Sequence, residues 1–129
     1  MISVDTNVVV RFLIGDDADQ FERAKRVFAS ERIFIPTSVL LESEWVLRAK
    51  YEVEKPTLLT ALRRLVDLPN VTAENRPAAQ SALAWAELGM DFADALHLAA
   101  SASFDGILSF DKKLARVAAR LGAPAVREP

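Results

Sequence analysis

The chain has 129 residues, a net charge of −2 and no cysteine, and 51% of its residues are apolar. This length fits one domain of the commonest size, so we expect residues 1–129 to form a single domain. The lack of cysteine excludes disulfides, thiolate zinc sites and cysteine nucleophiles. No apolar run reaches the roughly 20 residues needed to cross a bilayer, and no secretory signal pattern is present. We therefore expect a cytoplasmic protein with no membrane partner.

Strand-like runs and helical periodicity alternate along the chain. The β-rich runs predict strands at 2–4, 33–36, 71–72, 106–110 and 125–126. Periodicity and capping signals predict helices at 8–13, 18–30, 37–47, 56–66, 77–88, 91–102 and 111–121. Thr37 or Ser38 is the predicted N-cap of the third helix. The alternation predicts an α/β fold, with a central parallel sheet of four to five short strands in a three-layer α/β/α arrangement.

Four acids fall at positions where such a sheet places its functional site, beyond the carboxyl ends of the strands. Asp5 ends the first strand and Asp111 follows the fourth. Glu42 lies about one turn into the helix after the second strand, and Asp94 lies in the first turn of its helix. Four carboxylates at one rim would repel one another, and a hard dication such as Mg²⁺ or Mn²⁺ would remove that conflict. The pattern therefore indicates a metal site suited to phosphoryl chemistry.

Several of these residues also have a purely structural interpretation. Asp111 can be the N-cap of the last helix, and Asp91 is best explained as an N-cap with Asp94 at the third position of a capping box. Asp5 can be a turn residue at the end of its strand. The only histidine, His97, is expected to pack within its helix, and one histidine without cysteine excludes histidine-rich zinc hydrolases. Motifs of P-loop enzymes, dinucleotide-binding domains and serine hydrolases are absent.

Four blocks of sequence stand in a specific order and spacing. They are VDTNVVVRFL at 4–13, IPTSVLLESEWVL at 35–47, DFADALHLAA at 91–100 and LSFDKKL at 108–114. Together they resemble the PIN-domain family, and within it the VapC-type toxins of toxin–antitoxin pairs. The resemblance covers nearly the whole chain. It implies a PIN-like fold and a ribonuclease that uses Mg²⁺ or Mn²⁺ to hydrolyse phosphodiester bonds of structured RNA, such as tRNA or rRNA.

The resemblance also assigns roles to individual residues. It implies that Asp5, Glu42, Asp94 and Asp111 are the catalytic acids and metal ligands. Residues expected to support these acids or to orient water are Thr6, Asn7, Asp91 and Ser109. For Thr6 and Asn7, capping of the helix that follows Asp5 is the alternative, and it is the simpler role for Thr6.

Partners are expected partly from composition and partly from the resemblance. The helices at 21–29 and 40–51 carry more large apolar residues than a small monomer needs, including Trp45 and Tyr51, and these can face a protein partner. The resemblance implies a cognate antitoxin and a homodimer. Candidate RNA contacts are Arg11, Lys112 and Lys113, although a solvated surface is the simpler interpretation of each.

Two alternatives to this function stay open at this point, another kind of nuclease and a signalling module. The net negative charge argues weakly against a nucleic-acid binder, although acids gathered around a metal would account for part of it. Nothing in the sequence identifies a reader of the 2′-hydroxyl, so a nuclease acting on DNA or in RNA processing is an alternative. A receiver-like signalling module that binds Mg²⁺ would need an aspartate after the mid-chain strand at 71–72, and Ala73, Glu74 and Asn75 stand there instead.

Overall fold

The computed structural model describes residues 1–129, and the chain divides into two compact units, Met1–Arg76 and Pro77–Pro129. Each unit has its own small parallel sheet with helices around it. No helix has the length and apolar character that spanning a bilayer requires. That residues 1–129 form one domain stays a prediction.

The first unit is built on a three-stranded parallel sheet in the order β1-β2-β3. Its elements are β1 (Ile2–Ser3), α1 (Thr6–Ile14), α2 (Ala18–Ser30), β2 (Ile33–Ile35), α3 (Thr37–Ala49), α4 (Lys55–Val66) and β3 (Val71–Ala73). The central strand places Ile33 beside Ile2 on one side and Val71 on the other. Ile33 and Ile35 are fully buried, as expected for the middle strand of a parallel sheet.

Local chemistry explains where the helices of the first unit begin and end. Asp17 caps α2 by accepting a hydrogen bond from the backbone N–H of Gln20 at 3.0 Å. The prediction that Thr37 or Ser38 caps α3 is wrong, because Pro36 occupies the N-cap position and makes no side-chain cap. The N–H of Thr37 instead donates to the carboxylate of Glu74 at 3.3 Å. A residue distant in sequence therefore accepts a hydrogen bond from the free N–H groups at this end of the helix.

The second unit holds a two-stranded parallel sheet. Its elements are α5 (Arg76–Glu87, which begins at the last residue of the first unit), α6 (Phe92–Ala100), β4 (Ile107–Leu108), α7 (Lys112–Leu121) and β5 (Val126–Arg127). Gly106 has a φ of +112°, and a Cβ at this position would clash with the carbonyl oxygen of Ala125. Glycine therefore permits the close pairing of β4 with β5.

The predicted α/β class with parallel strands is confirmed, and all five predicted strands are present. They do not form the single sheet of four to five strands that the sequence predicts. Hydrogen bonds join three strands in one sheet and two in another. A pattern of β-rich runs predicts strands but not which strand edges pair, and β1, β4 and β5 contribute only two residues each.

Candidate functional site

The first unit carries a cavity of about 400 Å³ beside the N-terminus of α1, which we call the Asp5–Glu42 cavity. Its lining includes Asp5, Thr6, Asn7, Glu42, Trp45 and Lys50. Glu42 is exposed on α3, and Val39, Trp45 and Val46 share its side of the helix because they lie three or four residues away. The structure thus places two of the four predicted acids in one cavity.

Asp5 caps helix α1. Its Oδ1 accepts a hydrogen bond from the backbone N–H of Val8 at 3.1 Å, and the positive end of the helix dipole favours its charge. The expectation that Thr6 or Asn7 provides this cap is wrong, since both residues already belong to the helix. Thr6 is buried, and both residues line the cavity, so their predicted supporting role stays a prediction. The cap fixes Asp5 through one oxygen and does not use the other.

Arg11, a candidate RNA contact, is held inside the first unit. Its Nη1 donates to the hydroxyl of Tyr51 and to the carboxylate of Asp16, each at 2.9 Å, and its Nε donates to Gln20 at 2.6 Å. The hydrogen bond with Tyr51, followed by the charge of Asp16, raises the pKa of Arg11 above its ordinary value. The guanidinium joins α1 to the start of α2 and to the residues that follow α3. Its contact with RNA stays a prediction, alongside this structural role.

The second unit carries a smaller cavity of about 170 Å³, the Asp94–Asp111 cavity. Asp91 and Lys113 also line it. Asp111 caps α7 through Oδ1, which accepts from the N–H of Leu114 at 3.0 Å, as the structural interpretation predicts. The hydroxyl of Ser109 accepts a hydrogen bond from the N–H of Asp111 at 3.0 Å. Ser109 therefore helps to fix the backbone of an acid it was predicted to support.

Asp94 is the acid with the clearest electrostatic perturbation. The predicted cap by Asp91 is confirmed, because its Oδ2 accepts from the N–H of Asp94 at 3.1 Å. Burial raises the pKa of Asp94, the negative charges of Asp91 and Asp111 raise it further, and His97 partly opposes the shift. Nearby positive charge would relieve this repulsion. The expectation that His97 is packed is wrong, because its side of α6 faces solvent and the residue is exposed. Lys113, which lines the same cavity as Asp94, is also exposed.

Lys112, the other candidate RNA contact, lies at the start of α7 and is mostly exposed. Its Nζ lies 4.0 Å from a carboxylate oxygen of Glu128, at the limit of an ion pair. The exposure of Lys112 and Lys113 does not test whether they bind a phosphate, so both lysines stay predicted RNA contacts.

The chemistry of the donor sets fits a hard divalent ion. Each cavity offers two of the predicted acids, and none of these acids forms an ion pair with a lysine or arginine of its own unit. No group of three or more histidine, aspartate or glutamate side chains is arranged so that it could hold a metal ion. Mg²⁺ is commonly coordinated by one or two carboxylates and several waters, and two acids in each cavity are consistent with that coordination. The assignment of Asp5, Glu42, Asp94 and Asp111 as metal ligands stays a prediction, and the number of ions is left open.

Comparison with known families assigns the chain. The PIN domain profile matches residues 2–120, which include all four predicted acids. The chain belongs to the PIN-domain family. PIN domains are generally nucleases, which are hydrolases, and they typically use divalent metal ions, so membership indicates a metal-dependent nuclease. A search of curated proteins found no match.

Trp45 and Tyr51 are the residues whose position the sequence did not predict. Both line the Asp5–Glu42 cavity, and the expectation that they face a protein partner stays a prediction. The spacing of Trp45, three residues after Glu42, was the available signal, because residues at that separation share one side of a helix.

Proposed function

We propose that this PIN domain is a Mg²⁺- or Mn²⁺-dependent endoribonuclease and the toxin of a toxin–antitoxin pair, and that it hydrolyses phosphodiester bonds of structured RNA such as tRNA or rRNA. The observation that carries the proposal is the position of Asp94. Its carboxylate is partly buried beside two other acids, in a family of metal-dependent nucleases. A carboxylate perturbed in this way by burial and like charge is typical of functional sites.

The proposal gives each acid a role. Asp5, Glu42, Asp94 and Asp111 would serve as metal ligands. A divalent ion held there supplies Lewis acidity toward water and toward a phosphoryl oxygen. The caps of α1 and α7 immobilise Asp5 and Asp111 through one oxygen each, which pre-organises both carboxylates before substrate binds. Hydrolysis by water needs no side-chain nucleophile, and the cleavage that the family resemblance implies leaves a 5′-phosphate and a 3′-hydroxyl.

The biological context of the proposal rests on the sequence resemblance to VapC-type toxins. A cognate antitoxin would inhibit the nuclease, and the protein would act as a homodimer. The large apolar residues of α2 and α3 other than Trp45, which lines the Asp5–Glu42 cavity, are the candidate contacts for such partners. A short neighbouring reading frame that encodes a DNA-binding protein would support the toxin role.

The test is a cleavage assay with purified, antitoxin-free protein on pools of tRNA and rRNA fragments and on matched DNA. Each pool is incubated with Mg²⁺, with Mn²⁺ and with EDTA, and the variants Asp94→Asn and Asp17→Asn are assayed beside the wild type. Asp17 is the matched control, because it also caps a helix and lies outside both cavities. We expect metal-dependent RNA cleavage that is lost only in the Asp94 variant. Cleavage of DNA alone, or cleavage that persists in EDTA, would contradict the proposal.

A further inference from the structure

Trp45 is a large aromatic residue that remains accessible at the Asp5–Glu42 cavity. It is 48% exposed, whereas the apolar residues of α3 that pack inward, Leu40 and Leu47, are 1–2% exposed. Phe104 and Phe110 are more exposed still, at 73% and 79%, so what distinguishes Trp45 is its position at a cavity that charged side chains also line. The cavity in front of it measures about 400 Å³, within the range of roughly 300–1,000 Å³ that small ligands occupy.

Lys50 gives the same cavity a positive charge. Its Nζ lies 5.6 Å from the centre of the Trp45 ring, a cation–π contact, and Lys50 also lines the cavity. An ammonium can cover only one face of an aromatic ring. The contact therefore holds Lys50 at the cavity, and Lys50 does not cover the opposite face of the indole.

We propose that Trp45 is a stacking platform for one unpaired base of a single-stranded nucleic acid segment, and that Lys50 contacts the phosphate next to that base. The inference rests on the proposed function, since it places the nucleotide beside two of the acids assigned to hydrolysis. An aromatic face for a base and a cation for a phosphate are the two components that proteins combine to bind single strands without sequence preference. Both lie in one cavity with Asp5 and Glu42.

The composition of the cavity favours a nucleic acid over a protein partner for Trp45. The buried centre of a protein interface is depleted of charged residues. Here the indole shares its cavity with the charged side chains of Asp5, Glu42 and Lys50, and with the amide of Asn7. A nucleotide beside a metal ion can satisfy these groups, whereas an apolar protein surface would leave them buried without partners.

Binding without cleavage tests the inference directly. A fluorescein-labelled single-stranded oligoribonucleotide is titrated with protein in EDTA, and separately with Mg²⁺ in an Asp94→Asn background that is expected not to cleave, and binding is followed by anisotropy. We expect Trp45→Ala to weaken binding about tenfold, since stacking on one aromatic side chain typically contributes about that much. Trp45→Phe should bind nearly as well as the wild type, because phenylalanine also offers a face for stacking. Phe104→Ala is the matched control, since Phe104 is 73% exposed and lies outside the cavity.

Two further readouts separate stacking and charge from a general loss of structure. In a Trp85→Phe background Trp45 is the only indole, and we expect its fluorescence to be quenched by the oligonucleotide. Lys50→Gln should reduce the slope of log affinity against log salt concentration by about 0.7, the value for one phosphate contact on a single strand.

The inference and the proposed function fail in different ways. If Trp45→Ala binds the oligonucleotide as tightly as the wild type while wild-type cleavage persists, the inference is wrong and the nuclease assignment stands. If Trp45→Ala weakens oligonucleotide binding but neither Mg²⁺ nor Mn²⁺ supports cleavage by the wild type, the stacking role of Trp45 is supported and the nuclease proposal is wrong. Loss of binding in Trp45→Ala that coincides with a change from dimer to monomer in sedimentation would also overturn the inference, because Trp45 would then be an interface residue.

Discussion

Asp5 has a structural role and a proposed catalytic role, and two substitutions separate them. Asn accepts the cap hydrogen bond from Val8 as well as Asp does, but it carries no charge. Asp5→Asn should therefore lose only the attraction to the helix dipole, about 0.3 kcal/mol. Asp5→Ala loses the cap as well, about 1 kcal/mol in total. Both variants lose a metal ligand and should lower cleavage at least about a hundredfold, by analogy with other pre-organised electrostatic groups.

The stability difference is large enough to measure by thermal unfolding. A chain of 129 residues has an unfolding entropy of about 0.27 kcal/mol per kelvin. A loss of about 1 kcal/mol then lowers Tm by about 4 °C for Asp5→Ala, and Asp5→Asn should lower it by about 1 °C. The control is Asp17→Ala, which removes an equivalent cap from α2 and should lower Tm by about 4 °C without changing the cleavage rate.

The outcome that refutes this reasoning is specific. Full cleavage activity in Asp5→Asn would mean that Asp5 is only a helix cap. Equal losses of Tm in the Asn and Ala variants would mean that the hydrogen bond to Val8 contributes no stability.

Three more predictions follow from buried or perturbed groups. The raised pKa of Asp94 means that the metal-free folded state binds its proton more tightly than the unfolded chain. This contribution to stability is full below the unfolded pKa of about 3.9 and is lost as pH rises through the higher folded pKa. Denaturant unfolding in EDTA should therefore find Asp94→Asn more stable than the wild type at pH 7, with no difference near pH 3; a less stable variant at pH 7 would contradict this. Ser43→Ala should raise the free energy of unfolding by about 1 kcal/mol in the same assay, because the buried Ser43 hydroxyl has no hydrogen-bond partner. A less stable variant would contradict this and would mean that the hydroxyl does form a hydrogen bond. Arg48→Met should lower the free energy of unfolding by about 2 kcal/mol, because the buried Glu44 carboxylate loses its partner at 2.8 Å. The control is Arg23→Met, which removes an exposed ion pair with Asp19 and should lower the free energy of unfolding by less than about 0.5 kcal/mol. Equal losses in the two variants would contradict this prediction.

The elements best predicted from sequence are those fixed by local signals. Helix α2 begins and ends where periodicity predicts, because a capping aspartate and an amphipathic stripe act within the segment itself. The caps by Asp91 and Asp111 are also local. The Asp91 cap is present as predicted, and the Asp111 cap is present as its structural interpretation proposes.

Features that depend on distant residues were not predictable in the same way. Helix α3 begins at Thr37 as predicted, but the N–H of Thr37 donates to Glu74, 37 residues further along the chain, so this capping partner could not be read from the residues around Thr37. The bonding of Arg11 to Tyr51 joins residues 40 positions apart, and the sequence alone made Arg11 look like a free surface cation. The division into two sheets depends on which strand edges meet, and a pattern of β-rich runs does not encode that.

The candidate site was predictable to the extent that strand ends and helix starts fix its acids. Asp5 and Glu42 do share a cavity, and Asp94 and Asp111 share another. Which acid would have a perturbed pKa was not predicted, since the burial of Asp94 depends on tertiary packing. The size of Trp45 suggested a partner surface, whereas its spacing from Glu42 indicated a shared side of α3, and only the structure shows that this side lines a cavity.

Metal binding tests the central claim most directly. Mn²⁺ is titrated into wild-type protein and into the variants Asp5→Asn, Asp94→Asn and Asp17→Asn, and binding is followed by calorimetry. The account predicts that the wild type and the Asp17 variant bind Mn²⁺ alike, and that each of the other two binds at least about tenfold more weakly, as expected for loss of a ligand carboxylate. Equal Mn²⁺ affinity in all four proteins would contradict the assignment of these acids to a metal site.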